Sequence, residues 1–131
     1  MKAYLAVKFH EDCRNKALIE SVSEALHKAG ITTTVMVRDH EKWGEVNFSP
    51  SELMSLTFDI INKSDMLIVE FSEKGVGLGI EVGYAHSKGI PVIVIAKENP
   101  EISNTLKGIA KEVIFYETPK ELTEKILHLS K

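Results

Sequence analysis

At 131 residues the chain is long enough to bury a core without disulfide staples and short enough to form one domain. Its 44% hydrophobic and 27% charged residues match a folded soluble chain and exclude a disordered one. A formal net charge of -3 gives no electrostatic reason to expect nucleic acid or an anionic membrane as partner.

The predicted elements alternate from end to end, without linker, repeat or low-complexity stretch. Residues 3–9, Ala-Tyr-Leu-Ala-Val-Lys-Phe, form a short apolar run, the mark of a strand covered on both faces. Residues 13–29 place Ala17, Leu18, Val22, Ala25, Leu26 and Ala29 on one helical stripe, which Gly30 ends. Residues 31–37 are β-branched and predict a second strand. Ser49-Pro-Ser-Glu52 is a capping box with proline at the first helical position, and its helix should run to Lys63. Residues 66–71 and 91–96 are two more buried strands, with a helix from near Gly79 to Lys88 between them. Asn99-Pro100 opens a short helix that Gly108 closes. Residues 112–116 are the last strand, and Thr118-Pro-Lys-Glu121 is a second capping box, opening the final helix.

This alternation predicts an α/β fold, a five-stranded parallel sheet in the order 2-1-3-4-5 with helices on both faces. Ligands of such sheets bind beyond the carboxyl ends of the strands, where the strand order reverses, here between strands 1 and 3. Leaving the third strand, the chain enters Gly75-Val-Gly-Leu-Gly-Ile-Glu-Val-Gly83. Alternate glycines give the backbone freedom and let a ligand approach it, and the following helix start suits an anion. The dinucleotide fingerprint fails, because Ile80 stands where a third glycine is required. Two readings stay open: a phosphate or sugar cradle formed by Gly75, Gly77 and Gly79, or a tight turn whose Gly79 and Gly83 let the helix pack close to the sheet. Glu81 tips the balance toward a site. It falls near the start of that helix, among Leu78, Ile80 and Val82, where the helix dipole favours its charge and burial opposes it. Such a carboxylate can act as a nucleophile or stabilise an oxocarbenium-like sugar; the plain alternative is a solvated glutamate at a helix N-terminus.

Three segments resemble the nucleoside 2-deoxyribosyltransferase family, which includes the related deoxynucleoside-monophosphate N-glycosidases. They are Ser64-Asp-Met-Leu-Ile-Val-Glu70, Gly77-Leu-Gly-Ile-Glu-Val-Gly-Tyr-Ala85 and Lys88-Gly-Ile-Pro-Val-Ile93, which together span about a quarter of the chain. The resemblance implies a single flavodoxin-like domain over residues 1–131 and cleavage of the N-glycosidic bond of a (deoxy)nucleoside or its monophosphate. It lays the family's nucleophilic glutamate on Glu81, fits Tyr4 to the first strand, and implies a polar residue lent by a neighbouring subunit, which falls on Ser103. Three positions depart from the pattern. Thr57 stands where the family has an aspartate, eight residues before Asp65; Asp59 lies roughly 200° away around the helix axis, so no carboxylate replaces it locally. Gly75 replaces an acidic or hydroxyl side chain, and the loop after the first strand is Val7-Lys-Phe-His10.

Lys8 and His10 follow the first strand, where they can meet a phosphate or carboxylate or simply form a solvated loop. Trp43 and Phe48 flank a segment too long for a turn; Trp43 either stacks on a base or packs over the core. Asp65 reads as organising the turn into the third strand, His86 as an interface or surface residue, and Cys13 as a bystander near a helix start. The histidines and Cys13 show no metal-ligand spacing, so neither a metal nor another cofactor is expected. With no signal peptide and no run of the roughly 20 apolar residues that cross a bilayer, a reducing cytosol is the expected compartment. The sequence thus predicts a glycosidase or glycosyl-transferase acting on a small nucleoside or nucleotide, assembled as a homodimer or larger oligomer. A catalytically silent nucleotide-binding sensor is the alternative, favoured by Thr57. A generic signalling domain is weaker, since it gives Glu81 no role.

Overall fold

In the computed structural model, which describes residues 1–130, five parallel strands form one sheet: β1 (Lys2–Val7), β2 (Thr32–Thr34), β3 (Met66–Glu70), β4 (Val92–Lys97) and β5 (Glu112–Tyr116). Their spatial order is β2-β1-β3-β4-β5, as the alternation of elements predicts. This is the flavodoxin-like order. β1 is an interior strand, pairing Lys2 with Thr32 on one side and Val7 with Glu70 on the other. Asp65 ties the entry to β3, exchanging bonds with Lys2: its carboxylate accepts the Lys2 N–H at 2.8 Å and its own N–H meets the Lys2 carbonyl at 2.8 Å.

The strands read as continuous apolar runs because both faces are covered. On one face α1 (Lys16–Lys28) and α5 (Pro119–Ile126) bury Leu26, Leu122 and Ile126 against Leu5, Ile68 and Ile95. On the other, α2 (Pro50–Asn62), α3 (Val76–Ser87) and α4 (Asn104–Ile109) bury Ile61, Val82 and Leu106 against Leu67, Val69 and Val94. Each such side chain removed from water contributes roughly 1.5–3 kcal/mol. Ile68 is fully buried at the sheet centre, so its truncation to alanine would cost roughly 2–5 kcal/mol. The α2 capping box is complete: Ser49 Oγ accepts the Glu52 N–H, and Glu52 accepts the Ser49 N–H. At α5 the Thr118 hydroxyl caps the helix, but Glu121 takes the Glu117 N–H in place of that of Thr118.

Four expectations change. β2 stops at Thr34 because the Asp39 carboxylate accepts the Val35 N–H at 2.8 Å, removing a donor that would have extended the strand. The chain then winds into a π-helical turn, Met36–His40, and a short helical turn, Lys42–Gly44, whose three residues all have positive φ. α3 begins at Val76, three residues before Gly79. α4 begins only at Asn104, since Glu98 and Asn99 take left-handed conformations; Ser103 caps it, and it runs through Gly108 to Ile109.

Candidate active site

β1 leads toward the sheet edge where α3 begins, and its Tyr4 points to the α2/α3 face. There the Tyr4 hydroxyl donates a hydrogen bond to Glu81 Oε2. Glu81 Oε1 has no hydrogen-bond partner among the described residues. Both side chains line a cleft of ≈190 Å3 whose walls include Val7, Met36, Thr57 and Gly77. Burial pushes the Glu81 carboxyl up to about 7, against the opposing pull of the Tyr4 bond. Tyr4 is raised well above its ordinary value, first by burial, then by the charge and hydrogen bond of Glu81. The phenol therefore stays protonated and serves as a donor. A carboxylate whose ionised form is disfavoured by burial, with one oxygen held and the other open to a cleft, has the features of a nucleophile.

Glu81 owes this setting to α3's early start. It is the sixth residue of the helix and so lies in the second turn, where the macrodipole has faded. Its surroundings are also different from those the sequence suggests. Leu78 and Val82 point into the core and Ile80 is exposed, whereas Tyr4 and Thr57 are the close neighbours in the cleft. The glycines do not form a left-handed turn. Gly75 is the extended N-cap of α3, and neither it nor Gly77 or Gly79 has positive φ. The close-packing reading of Gly79 and Gly83 also falls, because a Cβ at either position would meet nothing within 4 Å.

The other candidate residues divide between two flanks of α3. Gly77 joins Tyr4 and Glu81 in the cleft. Gly75, Gly79 and Ser103 line a second, larger cavity of ≈480 Å3 on the opposite flank, walled by Phe71, Leu106 and other apolar side chains. Ser103 is exposed and caps α4, so it lies across α3 from its own chain's Glu81. Lys8 is exposed, and its stem runs 3.8 Å from where a Gly75 Cβ would sit. His10 meets a carboxylate of the chain itself, Glu73, at 2.8 Å. Trp43 is half-buried; its ring packs 6.1 Å from that of Phe9, with the Lys16 ammonium 4.7 Å from its centroid. His86 is exposed on α3, and Cys13 lies in the loop before α1.

Thr57 is 2% exposed, and its hydroxyl donates to the Leu53 carbonyl at 2.7 Å. Two glutamates escaped the sequence reading. Glu41 lines the same cleft as Glu81, from the segment that the early end of β2 turns toward it. Glu70 is 2% exposed on the opposite face of the sheet, where Tyr116 Oη donates to Oε2 and the Ser72 N–H meets Oε1 at 2.6 Å. A glutamate inside an apolar strand run was the available signal for Glu70; nothing in the spacing pointed to Glu41.

Fold and cleft together define a flavodoxin-like α/β protein with a largely apolar pocket, holding a few polar side chains, where its strand order reverses. No protein-family model matches the chain. A Thermofilum pendens protein, provisionally named 2'-deoxynucleoside 5'-phosphate N-hydrolase 1, is 30% identical to it over 96% of this chain and 92% of its own length. Two solved structures share the fold. The CMP N-glycosidase BcmB of Clostridium botulinum superposes with a TM-score of 0.68 at 21% identity, covering 96% of this chain and 98% of that one. The 2-deoxyribosyltransferase of Bacillus psychrosaccharolyticus gives 0.72 at 18% identity, covering 94% and 90%. The chain belongs to the nucleoside 2-deoxyribosyltransferase family, with its related deoxynucleoside-monophosphate N-glycosidases.

Proposed function

We propose that the chain cleaves the N-glycosidic bond of a (deoxy)nucleoside or its monophosphate, with Glu81 as nucleophile. The observation that carries this reading is the Tyr4–Glu81 pair, half-open to a cleft at the switch point of a chain that belongs to this family. Tyr4 holds Oε2 and leaves Oε1 free to attack C1' of the sugar. The glycosyl–enzyme ester then passes to water or to a second base, the two-step course of retaining glycosidases.

Lys8, exposed beside the N-cap of α3, and the open backbone at Gly77 in the cleft suit a 5'-phosphate on the substrate. The name of the Thermofilum relative points the same way. Ser103 lies beyond α3 from its own Glu81 and would serve the site of a neighbouring copy. Val76, 83% exposed, and Ile80, 49% exposed, offer apolar surface for that contact. Light scattering should then show a dimer or larger assembly at micromolar concentration; a monomer with full activity would remove Ser103 from the site.

The direct test is incubation with a panel of nucleosides and their 5'-monophosphates, read for released base by chromatography. Release that depends on Glu81 supports the reading. A second reading, a silent nucleotide-binding domain, draws on Thr57, which holds the place of the family's aspartate with its hydroxyl committed to a backbone carbonyl. Ligand binding without base release would favour it.

A further inference from the structure

Glu41 stands out among the groups that this reading does not use. It enters the cleft from the segment after β2, whereas Glu81 enters from the helix after β3. Because β1 lies between those two strands, the carboxylates approach Tyr4 from its two sides. The Glu41 backbone is pinned: its N–H donates to the Met36 carbonyl at 2.9 Å, and its carbonyl accepts from Gly44 at 3.0 Å and Val46 at 2.9 Å. The next three residues, Lys42, Trp43 and Gly44, hold φ of 50°, 57° and 97°. For the two that are not glycine, this conformation costs on the order of 1–3 kcal/mol each, and such strain collects at working sites.

The side chains of the segment are also sorted. Asp39 is tied to Arg38 at 2.8 Å and to the Val35 N–H, so it stabilises the turn. The Glu41 carboxylate has neither a hydrogen bond nor an ion pair among the described residues, although it is half-buried. Its charge reaches Tyr4, where it adds to the influences that keep the phenol protonated. A half-buried carboxylate without a partner, on a rigid and strained turn, facing a nucleophile across a cleft, is placed to meet a ligand.

We infer that Glu41 is the second catalytic carboxylate of this cleft, the base that deprotonates the water releasing the sugar from Glu81. The inference rests on the N-glycosidase reading above. In the first step a Glu81 oxygen bonds to C1' and the C1'–N bond breaks; its electron pair leaves on the base nitrogen, which takes a proton from solvent. In the second step water oxygen bonds to C1' and Glu81 departs as carboxylate with the bonding pair. The water proton passes to Glu41, which returns it to solvent. The base leaves from the face of the sugar away from Glu81, so water must arrive on that same face, where a carboxylate across the cleft can reach it. Glu41 thus supplies from a different element the acid–base group that Thr57 does not.

The test compares the parent with Glu41→Gln on the monophosphate that the panel identifies, with folding checked by circular dichroism. Base release in the first turnover should stay within a few-fold of the parent. Steady-state turnover should fall roughly 100- to 10,000-fold, with sugar accumulating on the protein by mass spectrometry. Azide needs no base, so it should restore turnover in Glu41→Gln and yield a glycosyl azide. Parental steady-state turnover in Glu41→Gln would overturn the assignment while leaving the glycosidase reading intact. So would equal loss of both phases with no response to azide. A parent that releases no base from any substrate would overturn the glycosidase reading and this assignment together.

Discussion

Tyr4–Glu81 and Tyr116–Glu70 join the same two functional groups on opposite faces of the sheet, and their surroundings set them apart. Glu70 uses both oxygens, one on Tyr116 and one on the Ser72 N–H, and lines neither cavity beside α3. Ser72 in turn accepts the Lys97 N–H at 2.9 Å, so the pair locks the carboxyl ends of β3, β4 and β5 together. Glu81 uses one oxygen and opens on a cleft. A buried carboxylate with both oxygens engaged holds structure; one left half-engaged beside empty space is available for chemistry.

The largest expected effect separates the pairs by activity. Glu81→Gln keeps an acceptor for Tyr4 but loses the proposed nucleophile, so base release should fall at least ~10,000-fold with no loss of stability in urea denaturation. Survival of most of the activity would end the covalent mechanism. The mirror experiment is Glu70→Ala, which leaves the buried Tyr116 hydroxyl and the part-buried Ser72 N–H without a partner. It should cost about 3 kcal/mol by urea denaturation, with turnover per folded molecule within a few-fold of the parent. A stable but inactive Glu70→Ala protein would give that pair a catalytic role.

Tyr4→Phe comes next. Removing the donor that lowers the Glu81 carboxyl should move its midpoint above about 7 and reduce base release at neutral pH roughly 10- to 100-fold. If Glu81 is the nucleophile it must be ionised, so the rate in the parent should climb with pH through about 7. Stability should run the other way. The folded midpoint of about 7 lies above the ordinary 4.5, so between those values the native state holds a proton that the unfolded chain has lost. Stability therefore declines as pH rises across that window, by on the order of 3 kcal/mol, and Glu81→Gln should flatten the slope. A rate independent of pH from 5 to 8 would argue against an ionising Glu81.

The smallest effect probes the helix that carries Glu81. A Cβ at Gly79 meets nothing, so Gly79→Ala should raise stability by roughly 0.5–1 kcal/mol, the helix-propensity difference. If base release nevertheless drops, the open glycine face serves a ligand or a neighbouring copy. If both stability and activity hold, glycine at this position has no role in either.

The strands were legible because a parallel sheet covered on both faces leaves continuous apolar runs such as residues 92–96, and their order followed from the alternation. Glu81 and Tyr4 were singled out through the family pattern, and the structure brings the two side chains together. Local patterns misled where side chains overrode them. Three glycines read as a turn, yet Gly77 and Gly79 lie within α3. The β-branched run from Ile31 ends as a strand at Thr34 because Asp39 captures one N–H, and that early stop carries Glu41 to the cleft. The helical neighbours of Thr57 hold no replacement carboxylate, and Glu41, the carboxylate proposed for that work, comes from another element. Glu70 and Tyr116 are 46 positions apart, a pairing that no local window can reveal.

The interior position of β1 also bears on how the chain is made. Its partners on either side, residues 32–34 and 66–70, are synthesised later, and Tyr4 waits 77 positions for Glu81. On the ribosome, therefore, β1 emerges ahead of both strands that complete it. Through that interval the apolar stretch Ala3–Ala6 has no sheet to enter, and pairing at such long range is slow and open to aggregation. Lower temperature during expression should therefore improve the soluble yield more than any change at the cleft.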